Sequence, residues 1–158
     1  MSPTSADTAP SAHPVIEPGT VLVMETREGR LGQWLLDGRH RLLADEPKEA
    51  GGDDAGPGPY ELLLMSLGAC TAMTLRLYAE RKGWPLERVL VRLRHSRVHA
   101  ADCVECDEKP VLLDHIDRTI TLEGALDAAQ RDRLMAIADK CPVHRTLSAP
   151  IRIETHRA

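Results

Sequence analysis

After residue 20 the chain alternates apolar and polar positions in short runs. Residues 21–25 form a β-type run, Glu28-Gly29-Arg30 supplies a hairpin turn, and residues 31–36 return from it. Asp37-Gly38 is a second turn signal before residues 40–44, so the pattern predicts a three-stranded antiparallel meander. A Gly-, Pro- and Asp-rich loop over 45–58 follows, read as a flexible crossover. The period then changes. Pro59 suits a first helical position, Glu61 opposes the positive end of the helix dipole, and Leu63, Leu67 and Cys70 fall at helical spacing. A helix is predicted from 59 to about 82, stopped by Gly83 and Pro85.

Residues 87–98 set Val89, Val91 and Leu93 against Arg88, Arg92 and Arg94, the signature of a half-buried strand. Residues 100–113 read as a polar loop and 116–122 as a second alternating strand. A helix is predicted over 127–140, then a short turn opened by Pro142 and a last strand over 151–155. Strands and helices are segregated rather than regularly alternating, so the fold class is α+β.

Length and composition narrow the class. The chain has 158 residues, enough for one domain, and residues 1–18, rich in Ser, Ala, Pro and Thr, read as a disordered tail before a single domain over 19–158. Apolar residues make up 42%, with no Phe, so Leu, Val, Ile, Met and Ala must fill the core. A net charge of -4 argues against a nucleic-acid partner. An uninterrupted aliphatic run such as 62–65 is far short of the ~20 residues of a spanning helix. With no apolar segment resembling a signal peptide in 1–18, the expectation is a soluble cytoplasmic protein without a membrane partner, whose thiols stay reduced.

Four cysteines then become the candidate chemistry. Cys70 and Cys141 each end an apolar helical stripe, and each is either inert packing or a sheltered nucleophile. Cys70 lies mid-helix, so a lowered pKa there requires a cation from elsewhere, with Arg27 and Arg30 of the first hairpin as candidates. Cys141 precedes Pro142 and falls near an N-cap, where free N–H groups favour a thiolate. Periodicity leaves both readings open.

His95-x3-His99-x3-Cys103-x2-Cys106 has a zinc-like spacing, but two histidines four residues apart on a strand stand ~13 Å from each other. A loop dithiol without an essential role is the better reading, and no metal is expected. Glu61 precedes Cys70 by nine residues, which puts the two on opposite faces of an ideal helix. The Gly51–Pro59 stretch fits neither a P-loop nor a dinucleotide fingerprint, and no cofactor is expected.

Gly56-Pro57-Gly58-Pro59-Tyr60-Glu61-Leu62-Leu63 through Gly68-Ala69-Cys70, with Cys141-Pro142-Val143-His144-Arg145-Thr146-Leu147, resembles the OsmC/Ohr superfamily, in its OsmC-like branch, over roughly residues 20–156. The resemblance implies two central cysteine-bearing helices wrapped by antiparallel sheets in an intertwined homodimer. It implies a thiol peroxidase in oxidative-stress defence, acting on organic hydroperoxides and less well on hydrogen peroxide. Cys70 would be peroxidatic and Cys141 resolving, passing through a sulfenic acid and a disulfide reopened by a dithiol, lipoyl-type in one branch. An apolar funnel over Cys70 would favour alkyl peroxides. Arg27 matches the family's hairpin arginine. The family's glutamate directly follows the proline; here Tyr60 stands in that place, which makes Glu61 the candidate. Thr71 replaces the bulky aromatic common after the cysteine. The alternative on the same fold is a non-catalytic protein that binds a small apolar ligand or senses redox state.

Overall fold

The structure, a computed structural model, describes residues 15–99 and 112–157. Residues 1–14 of the expected tail, and Cys103 and Cys106 of the expected loop, lie outside them. The chain divides into two compact units, Met1–Pro59 and Tyr60–Ala158.

In the first unit β1 (Leu22–Glu25), β2 (Gln33–Leu36) and β3 (Arg41–Ala44) form the antiparallel meander in the order β1-β2-β3. Leu22 pairs with Leu36, and Leu36 with Arg41. At the second turn the Asp37 carboxylate accepts the Arg39 and His40 N–H groups at 2.8 and 2.6 Å, which accounts for the Asp-Gly signal.

The loop that follows is held rather than loose. Asp45, 3% exposed, accepts backbone N–H groups from Glu46, Asp53 and Ala55 at 2.9–3.2 Å. Burial pushes its carboxyl up, but the three N–H donors outweigh it and hold the pKa below the ordinary 3.8. Gly56 is required here, because a β-carbon at that position would sit 2.2 Å from the Leu43 carbonyl oxygen.

The second unit opens on α1 (Pro59–Lys82), continues through the hairpin β4 (Leu86–His99) and β5 (Leu112–Gly124), and closes with α2 (Ala128–Ala138) and α3 (Pro142–Leu147). The two long strands pair antiparallel from Leu86↔Gly124 to His99↔Leu112, with one irregularity between Leu86 and Arg88. Both run further than their alternation suggests, since each added residue gains a cross-strand partner.

Asp127 caps α2 in a reciprocal capping box with Gln130. The core gathers Leu75 and Ala79 of α1, Leu86, Leu126, and Leu134, Ile137 and Ala138 of α2. Arginines tie helices to strand ends: Arg76 donates to the Leu86 and Glu87 carbonyls, and Arg131 to those of Leu122 and Gly124.

Two expectations are corrected. The segment after Pro142 is a six-residue helix rather than a turn. Residues 151–155 form no strand, and Ile151 and Ile153 are 56% and 84% exposed. Their alternation is strand-like, but a strand exists only by pairing, and this segment pairs with none of the described strands.

Among the described residues one helix, α1, is long and apolar enough to cross a membrane by length and composition alone. Its buried stripe of Leu67, Thr71, Leu75 and Ala79 faces protein instead. A second stripe, with Met65, Met73 and Leu77, is more than half exposed.

Candidate functional site

Cys70 lies in the middle of α1, one position before the buried Thr71. Cys141 lies between α2 and α3, at the N-cap of α3, and is fully buried. The proline at the first position of α3 forces the chain out of α2 and turns the Cys141 sulfur toward α1. Both cysteines are free thiols, and they interact through their side chains.

The two thiols have different surroundings. Burial raises the Cys70 pKa above the ordinary thiol value, and the facing Cys141 raises it further. Burial also pushes Cys141 up. There the Cys70 thiol, the His144 N–H, the Thr71 hydroxyl and the Val143 N–H together outweigh it, and the pKa is lowered. None of these makes a full capping bond to the sulfur, but together they favour the thiolate. The pair therefore shares a proton unequally, with negative charge favoured on Cys141.

Behind Cys141 stands a cation that the alternating pattern hides in plain view. In β5, Ile116, Arg118, Ile120 and Leu122 all occupy the less exposed face. Arg118 is thus an arginine on an apolar register. It donates to the Thr71 hydroxyl oxygen at 3.1 Å and the Ala138 carbonyl at 3.3 Å, and pairs with Asp139 at 2.7 Å. Thr71 is likewise the polar member of an apolar stripe. Those two inward polar positions are the signal by which the sequence could have revealed them.

The remaining candidates are placed separately. Arg27 belongs to the first unit, exposed in the β1–β2 turn at φ 62°. In that turn the Thr26 hydroxyl donates to the Glu28 carbonyl at 2.7 Å and accepts the Glu28 N–H at 3.1 Å. Glu61 is in the first turn of α1 and lines an open groove with Leu64, Met65, Gly68 and Ala69, on a different face from the Leu67–Thr71 stripe.

Tyr60, in the family's glutamate position, stacks on His95 with ring centroids 4.5 Å apart. His95 Nε2 in turn lies 2.9 Å from Asp114 Oδ1. Among the described residues no cluster of His, Cys, Asp and Glu is arranged to hold a metal.

The chain thus combines an α+β fold with a helix cysteine facing a second cysteine just ahead of a proline. The model of the OsmC-like protein family matches residues 51–156, about two thirds of the chain, and the chain belongs to that family. No curated protein sequence matches it.

Solved structures show the same fold. An OsmC-like protein from Mycoplasma pneumoniae superposes with a TM-score of 0.62 at 20% identity, covering 82% of this chain and 86% of its own. An organic hydroperoxide resistance protein OsmC from Legionella pneumophila gives 0.57 at 21%, covering 81% and 87%. The organic hydroperoxide resistance protein OhrB of Bacillus subtilis gives 0.54 at 16%, covering 80% and 89%.

Proposed function

We propose that this chain is a cytoplasmic thiol-dependent peroxidase that reduces organic hydroperoxides, and hydrogen peroxide less well, in oxidative-stress defence. The observation that carries the reading is the Cys70–Cys141 thiol pair, with Cys141 fully buried and Cys70 partly so, facing each other from two elements of the second unit. Family membership and the hydroperoxide-resistance names of two structural relatives support it.

In this reading the Cys70 thiolate attacks the terminal peroxide oxygen and releases the alcohol, leaving a sulfenic acid. Cys141 displaces water from that sulfenic acid and forms the disulfide. A dithiol, of lipoyl or similar type, takes the disulfide back to two thiols. Arg27 and Glu61 are the further residues assigned to catalysis, on the family resemblance. Residues 19–158 act as one domain within a homodimer. The exposed Met65, Met73 and Leu77 of α1 support a second copy as the cover of that face.

The test is turnover of cumene hydroperoxide with a dithiol. Cys70→Ser is expected to abolish it, and mass spectrometry after one equivalent of peroxide is expected to show a Cys70–Cys141 bond. Undiminished turnover in Cys70→Ser would overturn the reading.

A further inference from the structure

We infer that Thr71 and Arg118 make Cys141 the leaving group when a Cys70–Cys141 disulfide is reduced, so that the incoming dithiol is directed to the Cys70 sulfur. The inference rests on the thiol-pair reading above.

Arg118 holds Thr71 in a defined role. Its side chain is only 13% exposed, and one guanidinium nitrogen divides its protons between the Thr71 oxygen at 3.1 Å and the Ala138 carbonyl at 3.3 Å. A hydroxyl has one proton to give. Because the Thr71 oxygen accepts from Arg118, that proton remains available to the Cys141 sulfur, with which the hydroxyl interacts. Accepting from a cation strengthens the hydroxyl as a donor.

Asp139 partly balances the charge at 2.7 Å, but it is 66% exposed and water screens it, whereas Thr71 and Cys141 are fully buried. Asp114 and His144 line the same cavity of about 330 Å³ as Arg118.

Cys70 is less well supported: the Val143 N–H and the Thr74 hydroxyl favour its thiolate, but burial and the facing Cys141 outweigh them. Thr74 shares its single proton with the Cys70 carbonyl oxygen, to which it donates at 2.7 Å, whereas the Thr71 oxygen is held by a cation. Access is equally one-sided, since Cys141 is fully buried and Cys70 is not.

The step balances as ordinary thiol–disulfide exchange. One thiolate of the reductant attacks the Cys70 sulfur, the sulfur–sulfur bond breaks, and its electron pair leaves on Cys141. The second thiol of the reductant, deprotonated by solvent, then attacks the mixed disulfide and releases Cys70 as thiolate. The dithiol loses two electrons and becomes a cyclic disulfide, and the two protein sulfurs gain them. A leaving thiol of lower pKa departs faster, so stabilising charge on Cys141 speeds the first exchange.

The experiment uses the full chain with Cys103→Ser and Cys106→Ser, so that only the pair reacts, and forms the disulfide with diamide, so that peroxide chemistry is not needed. Thr71→Val keeps the shape and removes the donor. It is expected to slow reduction by dithiothreitol about five- to tenfold, the size of losing one hydrogen bond to a charged group only partly developed at the transition state.

Thr71→Ser is expected to rescue the rate, Arg118→Gln to slow it as Thr71→Val does, and Arg118→Lys to restore part of it. In the reduced protein Thr71→Val moves the shared proton toward Cys141, so alkylation of Cys70 by iodoacetamide is expected to quicken. A merely loosened fold would quicken both reactions. Reduction of Thr71→Val at the unsubstituted rate or faster overturns the leaving-group assignment. Equal slowing in Thr71→Val and Thr71→Ser overturns it too. Failure of diamide to form the Cys70–Cys141 bond overturns the thiol-pair reading itself.

Discussion

Arg27 is an exposed, non-glycine residue at φ 62°, a backbone conformation in which a β-carbon crowds its own carbonyl. That crowding costs about 1–2 kcal/mol, and the Thr26 hydroxyl, bonded on both sides of Glu28, helps hold the turn in place. Arg27→Gly removes the cost but gives the unfolded chain more freedom, a loss of about 0.5–1 kcal/mol. Arg27→Ala keeps the crowded β-carbon and removes only the guanidinium.

Arg27→Gly is therefore expected to be more stable than Arg27→Ala by about 1 kcal/mol, read from urea unfolding midpoints at equal slope. If the guanidinium serves Cys70, both variants lose hydroperoxide turnover together. A strained position kept at the cost of stability and emptied of activity by either change is the pattern of a functional residue. Equal stability of the two variants refutes the strain argument, and full turnover in Arg27→Gly refutes the role of the side chain.

Two further outcomes follow from the packing and the charge. Leu134→Ala deletes a fully buried core side chain of α2 and is expected to cost about 3 kcal/mol or more in urea unfolding, with a loss below ~1.5 kcal/mol showing that the core closes over the gap. Asp45 has a folded pKa below its ordinary 3.8, so its contribution is complete above that value and drains away as pH falls through the lower folded value. The Tm gap between Asp45 and Asp45→Asn proteins is expected to be wide at pH 6 and to close toward pH 2, and a gap independent of pH refutes the reasoning.

The local elements were largely legible. Asp37-Gly38, Pro59 and Gly83 each act through neighbours in sequence, and α1 runs over Pro59–Lys82 as its period suggests. Strand ends were not, because a strand is only as long as its partner: β4 and β5 extend each other from Leu86 to His99 and from Leu112 to Gly124. The same reason removes the expected strand at 151–155, where strand-like alternation meets no paired neighbour among the described strands. The Gly-rich loop misled in the other direction. Its composition suggested slack, whereas Asp45 ties it from one end.

For the site, the sequence by itself named Cys70 and Cys141 and set each at the end of an apolar stripe, because helical period and a proline are local properties. It could not say that the two sulfurs face each other, nor that they share a proton unequally. Those facts depend on α1, β5 and the α2–α3 junction meeting in space, which brings Thr71, Arg118 and Cys141 together from positions up to 70 residues apart. A pKa answers to distance and burial rather than to spacing along the chain, and so only the tertiary structure separates the two thiols, raising the pKa of Cys70 and lowering that of Cys141.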